Sequence, residues 1–299
     1  MNIIRKIKYN QYWNIGFCEQ TSEELMHEGG LRPIKWLKHE YDDRWFADPF
    51  ILRATEDEIV VFVEECLMDT PKGIICELVI NRKTMNLKER YVLLDKETHL
   101  SYPAIIMHDG KVYVYPENGA SGKLNIYEYD EANHRLFNPV CILEEAVADA
   151  TIFINNNCYY LTATKFPSTQ EKVYLYKSES IFGPFTAVSA MPFQKDIGFS
   201  RCGGNFFYVD GNRCRPVQDC KIRYGAALNI MRSTLNQRML VEELQLSIKP
   251  QSWRYDLGVH TINFCDGICV IDGYGYFYPA IAHALIPLKR CVHLLKVSK

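Results

Sequence analysis

The sequence predicts an all-β fold, a five-bladed β-propeller that forms a single domain over residues 1–299. Two observations lead to this prediction. Aromatic residues make up 13% of the chain, a composition that favours strands over long helices. A strand, a tight polar turn and a second strand also recur five times at nearly constant spacing, and recurrence of strands near 50 residues is typical of propeller blades.

Composition excludes several other classes of protein. The 299 residues carry a formal net charge of −2, so the chain lacks the basic excess of a nucleic-acid-binding protein. Hydrophobic residues are 47% and charged residues 23%, a balance typical of a folded globule. The sequence contains no Walker loop, no GxGxxG and no metal-ligand spacing of Cys and His, so we expect neither a cofactor nor a metal.

Five segments share the pattern of strand, turn and strand. In chain order they are DPFILRATEDEIVVFVEE, YPAIIMHDGKVYVYPENG, DATIFINNNCYYLTATK, GNFFYVDGNRCRPVQDC and HTINFCDGICVIDGYG. They open near residues 48, 102, 149, 204 and 260, in steps of 54, 47, 55 and 56 residues. The turns HDGK, NNNC, VDGN and CDGI are Asx/Gly hairpin signals. Each segment therefore supplies the first two strands of one blade.

The remaining elements complete the blades. Further strands are expected at 123–129, 172–177 and 226–231. The leading segment 1–44 and the tail after residue 282 are expected to close or cap the ring. The segment TSEELMH at 21–27 has the Ser/Thr-x-x-Glu capping pattern and predicts a short helix.

The propeller topology places candidate functional residues at one mouth of the central channel. Each first strand starts at that face and each second strand returns to it, so side chains of all five blades converge on one funnel. The strand starts contribute Asp48, Tyr102, Asp149, Asn205 and His260. The strand ends contribute Glu64, Glu65, Glu117, Lys165, Arg215, Gln218, Asp219 and Asp272. Carboxylates from separate blades should therefore meet at this mouth.

Seven motifs carry a resemblance to known proteins. They are WFADPF, HLSYP, YPENG, ADATIF, RCGGNFF, RPVQD and GVHTIN, and they extend over most of the chain. With these motifs the chain resembles the five-bladed propeller glycosidases of families 43 and 32. It is more closely similar to the propeller domain at the N-terminus of plant glucosamine inositolphosphorylceramide transferases and to bacterial relatives of that domain, some of them found with formyltransferases. The resemblance implies a carbohydrate-active protein of bacterial origin.

The resemblance also implies roles for three residues. Asp48 matches the general base of family 43, Asp149 matches the acid that orients the proton donor, and His260 matches a histidine near the channel axis. An inverting glycosidase needs two carboxyls about 6.5–9.5 Å apart, one to activate water and one to protonate the leaving oxygen. A third carboxylate nearby raises the pKa of the proton donor.

Blade four departs from the glycosidase pattern. Where those enzymes place their acid Glu, the chain reads RCGGNFF and has no carboxylate. Glu117 and Glu65, which end the second strands of blades two and one, are the preferred alternative proton donors, and Asp219 is a third candidate. Whether the chain hydrolyses a substrate is therefore left open by the sequence.

A further group of residues is expected to hold substrate. Arg201 and Arg215 are expected to form an anion pocket, and Tyr102 is expected to offer a sugar-stacking face. The expected binding set is completed by Asn205, Gln218, Asp219 and His260.

Two functions stay open at this point. The first is cleavage of a glycosidic bond of a glycan or glycoconjugate in the funnel. The second is a non-catalytic glycan-binding module that works with a glycosyltransferase or formyltransferase partner. The sequence shows neither a signal peptide nor an apolar stretch long enough to span a bilayer, and its eleven cysteines fit reduced thiols. We therefore expect a cytoplasmic chain without a membrane span that binds no nucleic acid.

Overall fold

A computed structural model shows five four-stranded sheets arranged as the blades of a propeller. It describes residues 11–70, 72–236 and 239–284. The predicted all-β, five-bladed, single-domain fold is confirmed. Residues 1–10 of the leading segment and the tail beyond residue 284 lie outside the described residues.

The strands follow the chain from blade to blade. The described chain begins with β1 (Gln11–Glu19), the helix α1 (Ser22–Glu28) and β2 (Lys35–Trp36). Blade one contains β3 (Arg44–Ala54), β4 (Glu58–Leu67), β5 (Gly73–Asn81) and β6 (Leu87–Leu94). Blade two contains β7 (Ser101–His108), β8 (Lys111–Glu117), β9 (Leu124–Asp130) and β10 (Arg135–Leu143). Blade three contains β11 (Val147–Asn155), β12 (Cys158–Lys165), β13 (Val173–Ser178) and β14 (Thr186–Ala187). Blade four contains β15 (Phe207–Val209), β16 (Asn212–Asp219), β17 (Ala227–Leu235) and β18 (Leu240–Ile248), and the chain then continues into β19 (Ile262–Cys265) and β20 (Ile268–Tyr276).

Blade five is formed by strands from both ends of the described chain. Its strand order is β19, β20, β1, β2, so two late strands pair with two early ones. The pairing of β1 with β20 is antiparallel and continuous, from Gln11 opposite Tyr276 to Glu19 opposite Ile268. The leading segment therefore closes the ring, which is one of the two roles expected of it.

Four hairpins turn through two residues with positive φ. These pairs are Asp109–Gly110, Asn156–Asn157, Asp210–Gly211 and Asp266–Gly267. Two successive residues with positive φ are typical of type I′ turns, whose twist matches that of the flanking strands. Asn, Asp and Gly adopt this conformation more readily than other residues. The local turn signals were therefore sufficient to locate these hairpins.

The helix α1 begins where its capping signal predicts. The Thr21 hydroxyl accepts a hydrogen bond from the N–H of Glu24, and the Glu24 carboxylate accepts one from the N–H of Thr21. Gly29, with a φ of 72°, ends the helix in the left-handed conformation. Over residues 11–70, 72–236 and 239–284, the structure contains no helix long and apolar enough to cross a membrane.

Apolar clusters between neighbouring blades hold the ring together. Each cluster has buried members from two neighbouring blades: Phe62 and Tyr127 from blades one and two, Tyr115 and Ile152 from blades two and three, Leu175 and Leu240 from blades three and four, Ile230 and Ile262 from blades four and five, and Phe17 and Val61 from blades five and one. Each blade thus buries apolar side chains against both of its neighbours. Removal of this surface from water is the main force that stabilises the ring.

Truncation of Phe17 should destabilise the closed propeller. Phe17 lies on β1, is fully buried and packs in the cluster between blades five and one. Because Phe17→Ala leaves a cavity, we expect the free energy of unfolding to fall by about 3–5 kcal/mol. Guanidinium denaturation followed by tryptophan fluorescence measures this change. Val241→Ala, at an exposed position, is the matched control, and a similar small loss for both variants would show that β1 does not close blade five.

Candidate functional site

Three residues that open blades share an unusual backbone conformation. Asp48, Tyr102 and Asp149 have φ values of 49°, 48° and 47°. Each lies where the pairing between the first two strands of its blade shifts register. A positive φ is unfavourable for a residue with a side chain, and a bulge re-aims the side chains beside it. The same local distortion therefore orients side chains at the openings of blades one, two and three.

On the second strand of each blade, one residue lies across from the opening of the first strand. We call these five residues the second-strand ring. Glu64 pairs with Ala47, Glu117 with Ser101 and Thr164 with Ala148. The corresponding places in blades four and five are held by Gln218 and Asp272, whose N–H groups donate to the carbonyls of Arg201 and Thr261. All five ring residues are buried. With Asp48 and Asp149, they line the predicted funnel.

Asp48 is enclosed between three blades. Its Oδ1 accepts a hydrogen bond from Thr261 Oγ1 at 2.7 Å, and its Oδ2 accepts one from the N–H of Tyr102 at 3.1 Å. Burial is the main cause that raises the pKa of Asp48 to about 6, and the carboxylates of Asp149 and Asp272 add to it. Asp48 is therefore ionised at neutral pH and can accept a proton.

Glu117 is a buried carboxyl beside Asp149. Its Oε2 accepts a hydrogen bond from the N–H of Asp149 at 3.1 Å and lies 3.6 Å from Nη2 of Arg201. Burial, followed by the negative charge of Asp149, raises the pKa of Glu117 to about 8. Glu117 is therefore protonated at neutral pH and can donate a proton.

Asp149 is held by two side chains of blade four. Arg201 donates from Nε and Nη2 to the two carboxylate oxygens, at 2.5 and 3.2 Å, and Gln218 Nε2 donates to Oδ2 at 2.7 Å. A bidentate pair of this kind fixes both orientation and charge. Arg201 belongs to the RCGG segment, in which the sequence lacks the glycosidase Glu. Blade four therefore supplies a cation that neutralises Asp149.

Asp272 joins blade five to blade one. Its Oδ1 accepts the N–H groups of His260 and Thr261 at 2.9 and 3.1 Å, and its Oδ2 accepts the N–H of Asp48 at 3.2 Å. The Nδ1 of His260 lies 2.5 Å from Oδ2 of Asp272. Burial opposes protonation of this imidazole, but Asp272 and Asp48 outweigh it, so the pKa of His260 is raised.

Aromatic rings surround His260. Trp13 of β1 stacks on the imidazole with ring centroids 3.9 Å apart, and Tyr224 meets it edge-on at 5.3 Å. The guanidinium of Arg201 lies 5.1 Å from the centroid of Tyr224. Tyr224 as a whole residue is 40% exposed. These rings thus link His260 to Arg201 of blade four.

One group of side chains has the composition of a metal site. Asp48, His260 and Asp272 each offer a ligand atom, and these atoms lie within 4.8 Å of one another. Two of the three possible ligand atoms, Nδ1 of His260 and Oδ2 of Asp272, are already bound to each other. Thr261 and the N–H of Tyr102 donate to the carboxylate of Asp48.

The structure does not bring Glu65 into the funnel. Successive side chains of a strand point to opposite faces, and it is Glu64 that faces the other carboxyls. The Glu65 carboxylate instead accepts hydrogen bonds from Arg44 Nη1 and Arg90 Nη2, both at 2.7 Å. The expectation that Glu65 donates a proton is therefore corrected. A shift of one residue in register decides which of two adjacent glutamates points inward.

Two expected binding residues, Arg215 and Tyr102, are also corrected by their surroundings. All five N–H groups of Arg215 donate within the protein, to the Glu242 carboxylate and to acceptors at 199, 200 and 202. The Tyr102 hydroxyl contacts Thr151 Oγ1 and accepts the N–H of Gly204, at 2.9 and 2.8 Å. Both side chains are fully buried, so neither can contact a sugar.

The structure places Asn205 and Asp219 outside the cluster of buried carboxyl residues. The N–H of Asn205 donates to Asn263 Oδ1 at 2.7 Å and its side-chain amide to the carbonyl of Ile105, which connects blade four to blades five and two. Asp219 Oδ1 accepts the N–H of Lys221 at 3.0 Å. The substrate-binding roles of Asn205 and Asp219 stay predictions.

Sequence reasoning missed parts of this site. Asp272 and Glu64 are predicted as strand ends without a functional role. Each holds the same position in its strand as Glu117, and this equivalence could have identified them as residues of the site. Trp13 lies outside the five repeats, and its place beside His260 follows from the pairing of β1 with β20. No local pattern could have indicated that contact.

The fold and the funnel together define the class of the protein. Five blades enclose buried carboxyls from four of them, with a partly exposed tyrosine beside an imidazole. A family model described as "Glucosamine inositolphosphorylceramide transferase 1, N-terminal" matches residues 35–255. The chain belongs to this family.

Curated relatives agree with this assignment. Glucosamine inositolphosphorylceramide transferase 1 of Arabidopsis thaliana is 25% identical over 217 residues, which cover 70% of this chain and 28% of the relative. The match thus spans about a quarter of the curated relatives' length. These relatives are plant proteins, so the bacterial origin stays a prediction.

The solved structures support the fold. A thermostable family 43 glycoside hydrolase has a TM-score of 0.52 and 16% identity, over 69% of this chain and 77% of that one. A family 117 glycoside hydrolase of the marine bacterium Zobellia galactanivorans has a TM-score of 0.54 and 11% identity, over 87% of this chain and 90% of that one. At these identities the likeness concerns the fold alone.

Removal of Arg201 should leave a buried charge without its partner. Because Arg201 and Asp149 are both buried, we expect Arg201→Met to lower the free energy of unfolding by about 3–5 kcal/mol. The double variant with Asp149→Asn should recover part of this loss, since the unpaired charge is gone. Urea denaturation at pH 7 measures both effects. Arg232→Met, which breaks an exposed ion pair with Glu243, is the control, and equal losses for both arginine variants would contradict the buried pair.

The imidazoles of His260 and of His99, which lies just before β7, should titrate in opposite directions. The pKa of His260 is raised, whereas burial lowers the pKa of His99. Stability contributed by the His260 imidazolium is therefore fully present below about pH 6.5 and is lost as pH rises through the raised value. Titration of the ring nitrogens by NMR should place the two on either side of 6.5, and Asp272→Asn should lower the value for His260. An unchanged His260 in that variant would contradict the ion pair.

Proposed function

We propose that the funnel binds a glycan or glycoconjugate and cleaves a glycosidic bond, with Asp48 as general base and Glu117 as general acid. The observation that carries the proposal is the different enclosure of two buried carboxyls: Asp48 accepts hydrogen bonds from Thr261 and from the N–H of Tyr102, whereas Glu117 lies beside Asp149. These surroundings raise the pKa of Asp48 to about 6 and that of Glu117 to about 8. Between these values the base is ionised and the acid is protonated. This is the state that an acid/base pair of a glycosidase needs before reaction.

In the proposed reaction, Asp48 takes a proton from the attacking water and Glu117 protonates the leaving oxygen. The proton lost by the water and the proton gained by the leaving group balance over one turnover. Asp149, held by Arg201 and Gln218, lies beside Glu117 and raises the pKa of this acid. Glu117 replaces the glutamate that blade four of this chain does not carry.

The comparisons support carbohydrate chemistry in this fold. Both solved structures named above are glycoside hydrolases, and the relatives are named glucosamine inositolphosphorylceramide transferase 1. The name also supports a transferase as a partner of this propeller. The ten cysteines of the described residues are free thiols, which supports the proposed location in the reducing cytoplasm.

A second candidate function is binding of a glycan without cleavage, as a module that presents it to a transferase. It is favoured by the saturation of Asp149, whose oxygens accept three hydrogen bonds from Arg201 and Gln218. Asp48 also accepts two hydrogen bonds within the protein. In this case the carboxyls act as hydrogen-bonding groups for sugar hydroxyls and as supports for the ring.

Asp48→Asn and Glu117→Gln test the two candidates. We expect each change to lower turnover of an accepted glycoside by about 100- to 10,000-fold, the range of general acid/base catalysis, and to leave binding within a few-fold. Asn accepts the positive φ of Asp48, so the backbone is preserved. A panel of aryl glycosides measures turnover, and Asp109→Asn, at an exposed turn with the same φ, is the matched control.

The pH dependence gives an independent test of the assignment. Below about pH 6 the base gains a proton, and above about pH 8 the acid loses one, so kcat/KM should pass through a maximum between these values. Glu117→Gln should remove the alkaline limb. Unimpaired turnover by Asp48→Asn would exclude it as the base, and binding of glycans without turnover of any glycoside would favour the module.

A further inference from the structure

A cavity of about 250 Å³ lies beside blade five, apart from the groups that the proposed reaction uses. Its walls come from the segment that follows α1, from β2, from β20 and from the loop that joins β18 to β19. Of the funnel residues described above, Asp272 alone also lines it. An apolar cavity of about 150 Å³ holds benzene, so this cavity is large enough for a bicyclic ring.

Two aromatic rings form part of the cavity wall. Trp36 and Tyr255 line it, and their ring centroids lie 4.1 Å apart. Trp36 packs directly on the strands beneath it, because a Cβ at Gly273 would lie 2.3 Å from its Cη2 and a Cβ at Gly16 would lie 2.8 Å from its Cε3. The Tyr255 hydroxyl is bound to that of Tyr12 at 2.9 Å. Both rings are therefore held in place before a ligand binds, and a planar apolar group fits against them.

The aliphatic part of the wall is only half-buried. Leu31, Ile34 and Pro250 line the cavity, and each keeps part of its surface in contact with water, as does Trp36. These side chains come from separate segments of the chain and meet at one opening. Covering them with an apolar ligand removes that surface from water, which is favourable.

The polar part of the cavity is positively charged. Lys249 lines it and forms no ion pair with any described residue. Asp272 is the only acid among the described residues of the lining, and three backbone N–H groups already bind its carboxylate. The Ser252 hydroxyl accepts two backbone N–H groups, at 3.2 and 3.3 Å, and keeps its own hydrogen to donate. The cavity thus offers a ligand one ammonium group and one hydroxyl donor.

The single cation decides which anion fits. A phosphate monoester carries about 1.5 to 2 negative charges at pH 7, and phosphate groups are typically held by bidentate arginines or by several N–H groups. A carboxylate carries one charge, which one ammonium group balances.

We infer that this cavity binds a small aromatic carboxylate, with its ring against Trp36 and Tyr255 and its carboxylate at Lys249. The aromatic wall selects a planar apolar body, and the unpaired lysine selects one negative charge. Occupancy of this site does not depend on the hydrolysis proposed for the funnel.

Calorimetric titration of the full chain with two matched probes tests the inference. The probes are indole-3-acetate and indole-3-acetamide, which share the bicyclic ring and the shape of the side chain and differ in charge. At pH 7 we expect the carboxylate to bind at one site and at least about tenfold more tightly than the amide, as for hydrogen bonds to charged groups.

Three variants locate the binding. Lys249→Met keeps an apolar stem and removes the ammonium group, so the preference for the carboxylate should disappear while the amide binds as before. Lys123→Met, at an exposed position before β9, is the matched control and should keep the preference. Leu31→Trp places a larger ring in the cavity and should abolish binding of both probes.

Several results would overturn the inference. These are equal binding of the two probes, binding of neither, or a Lys249→Met variant that still prefers the carboxylate. The alternative occupant is the chain's own apolar stretch LIPL at 285–288, which follows shortly after His283, a residue 3.3 Å from the carbonyl of Trp253. A chain that ends at residue 284 would then bind indole-3-acetate while the full chain does not, and this result also contradicts a ligand site in the full chain.

Discussion

Hydrogen bonds from backbone N–H groups to buried carboxylates are the constraint on which the centre of this propeller depends. Asp272 accepts the N–H of Asp48, Asp48 accepts that of Tyr102, and Glu117 accepts that of Asp149. Each link joins the opening of one blade to a carboxylate of the preceding blade. A buried N–H group without an acceptor costs about 1–3 kcal/mol. These acids therefore support the ring, whatever chemistry they also perform.

The same burial that serves the ring raises the pKa values of two of its carboxyls. Removal from water disfavours ionisation of Asp48 and Glu117, and their different neighbours separate the two pKa values. Arg201 occupies the blade-four segment that carries an acid in the resembling glycosidases, and it neutralises Asp149. The charges of the funnel thus differ from those that the resemblance implies, and our proposal therefore places the proton donor on blade two.

Much of the fold could be predicted because its signals are local. The turn pairs at 109–110 and 266–267 adopt positive φ, as Asp and Gly at those positions indicate, and the cap of α1 forms from Thr21 and Glu24. The site was predicted less completely. Asp48 and Glu117 are both buried at the expected ends of their strands, but Glu65 is paired with Arg44 and Arg90 instead, since strand periodicity without register does not tell one face from the other.

The amino-acid sequence alone determined the number of blades, the position of most hairpins and the convergence of acids from separate blades. These properties follow from residue alternation, turn chemistry and repeat spacing. Only the tertiary structure decided which acids are free and which are paired. The partners of Asp149 and Arg215 and the stacking of Trp13 on His260 join residues from different strands or blades. Such contacts depend on register and ring closure, which no local pattern encodes.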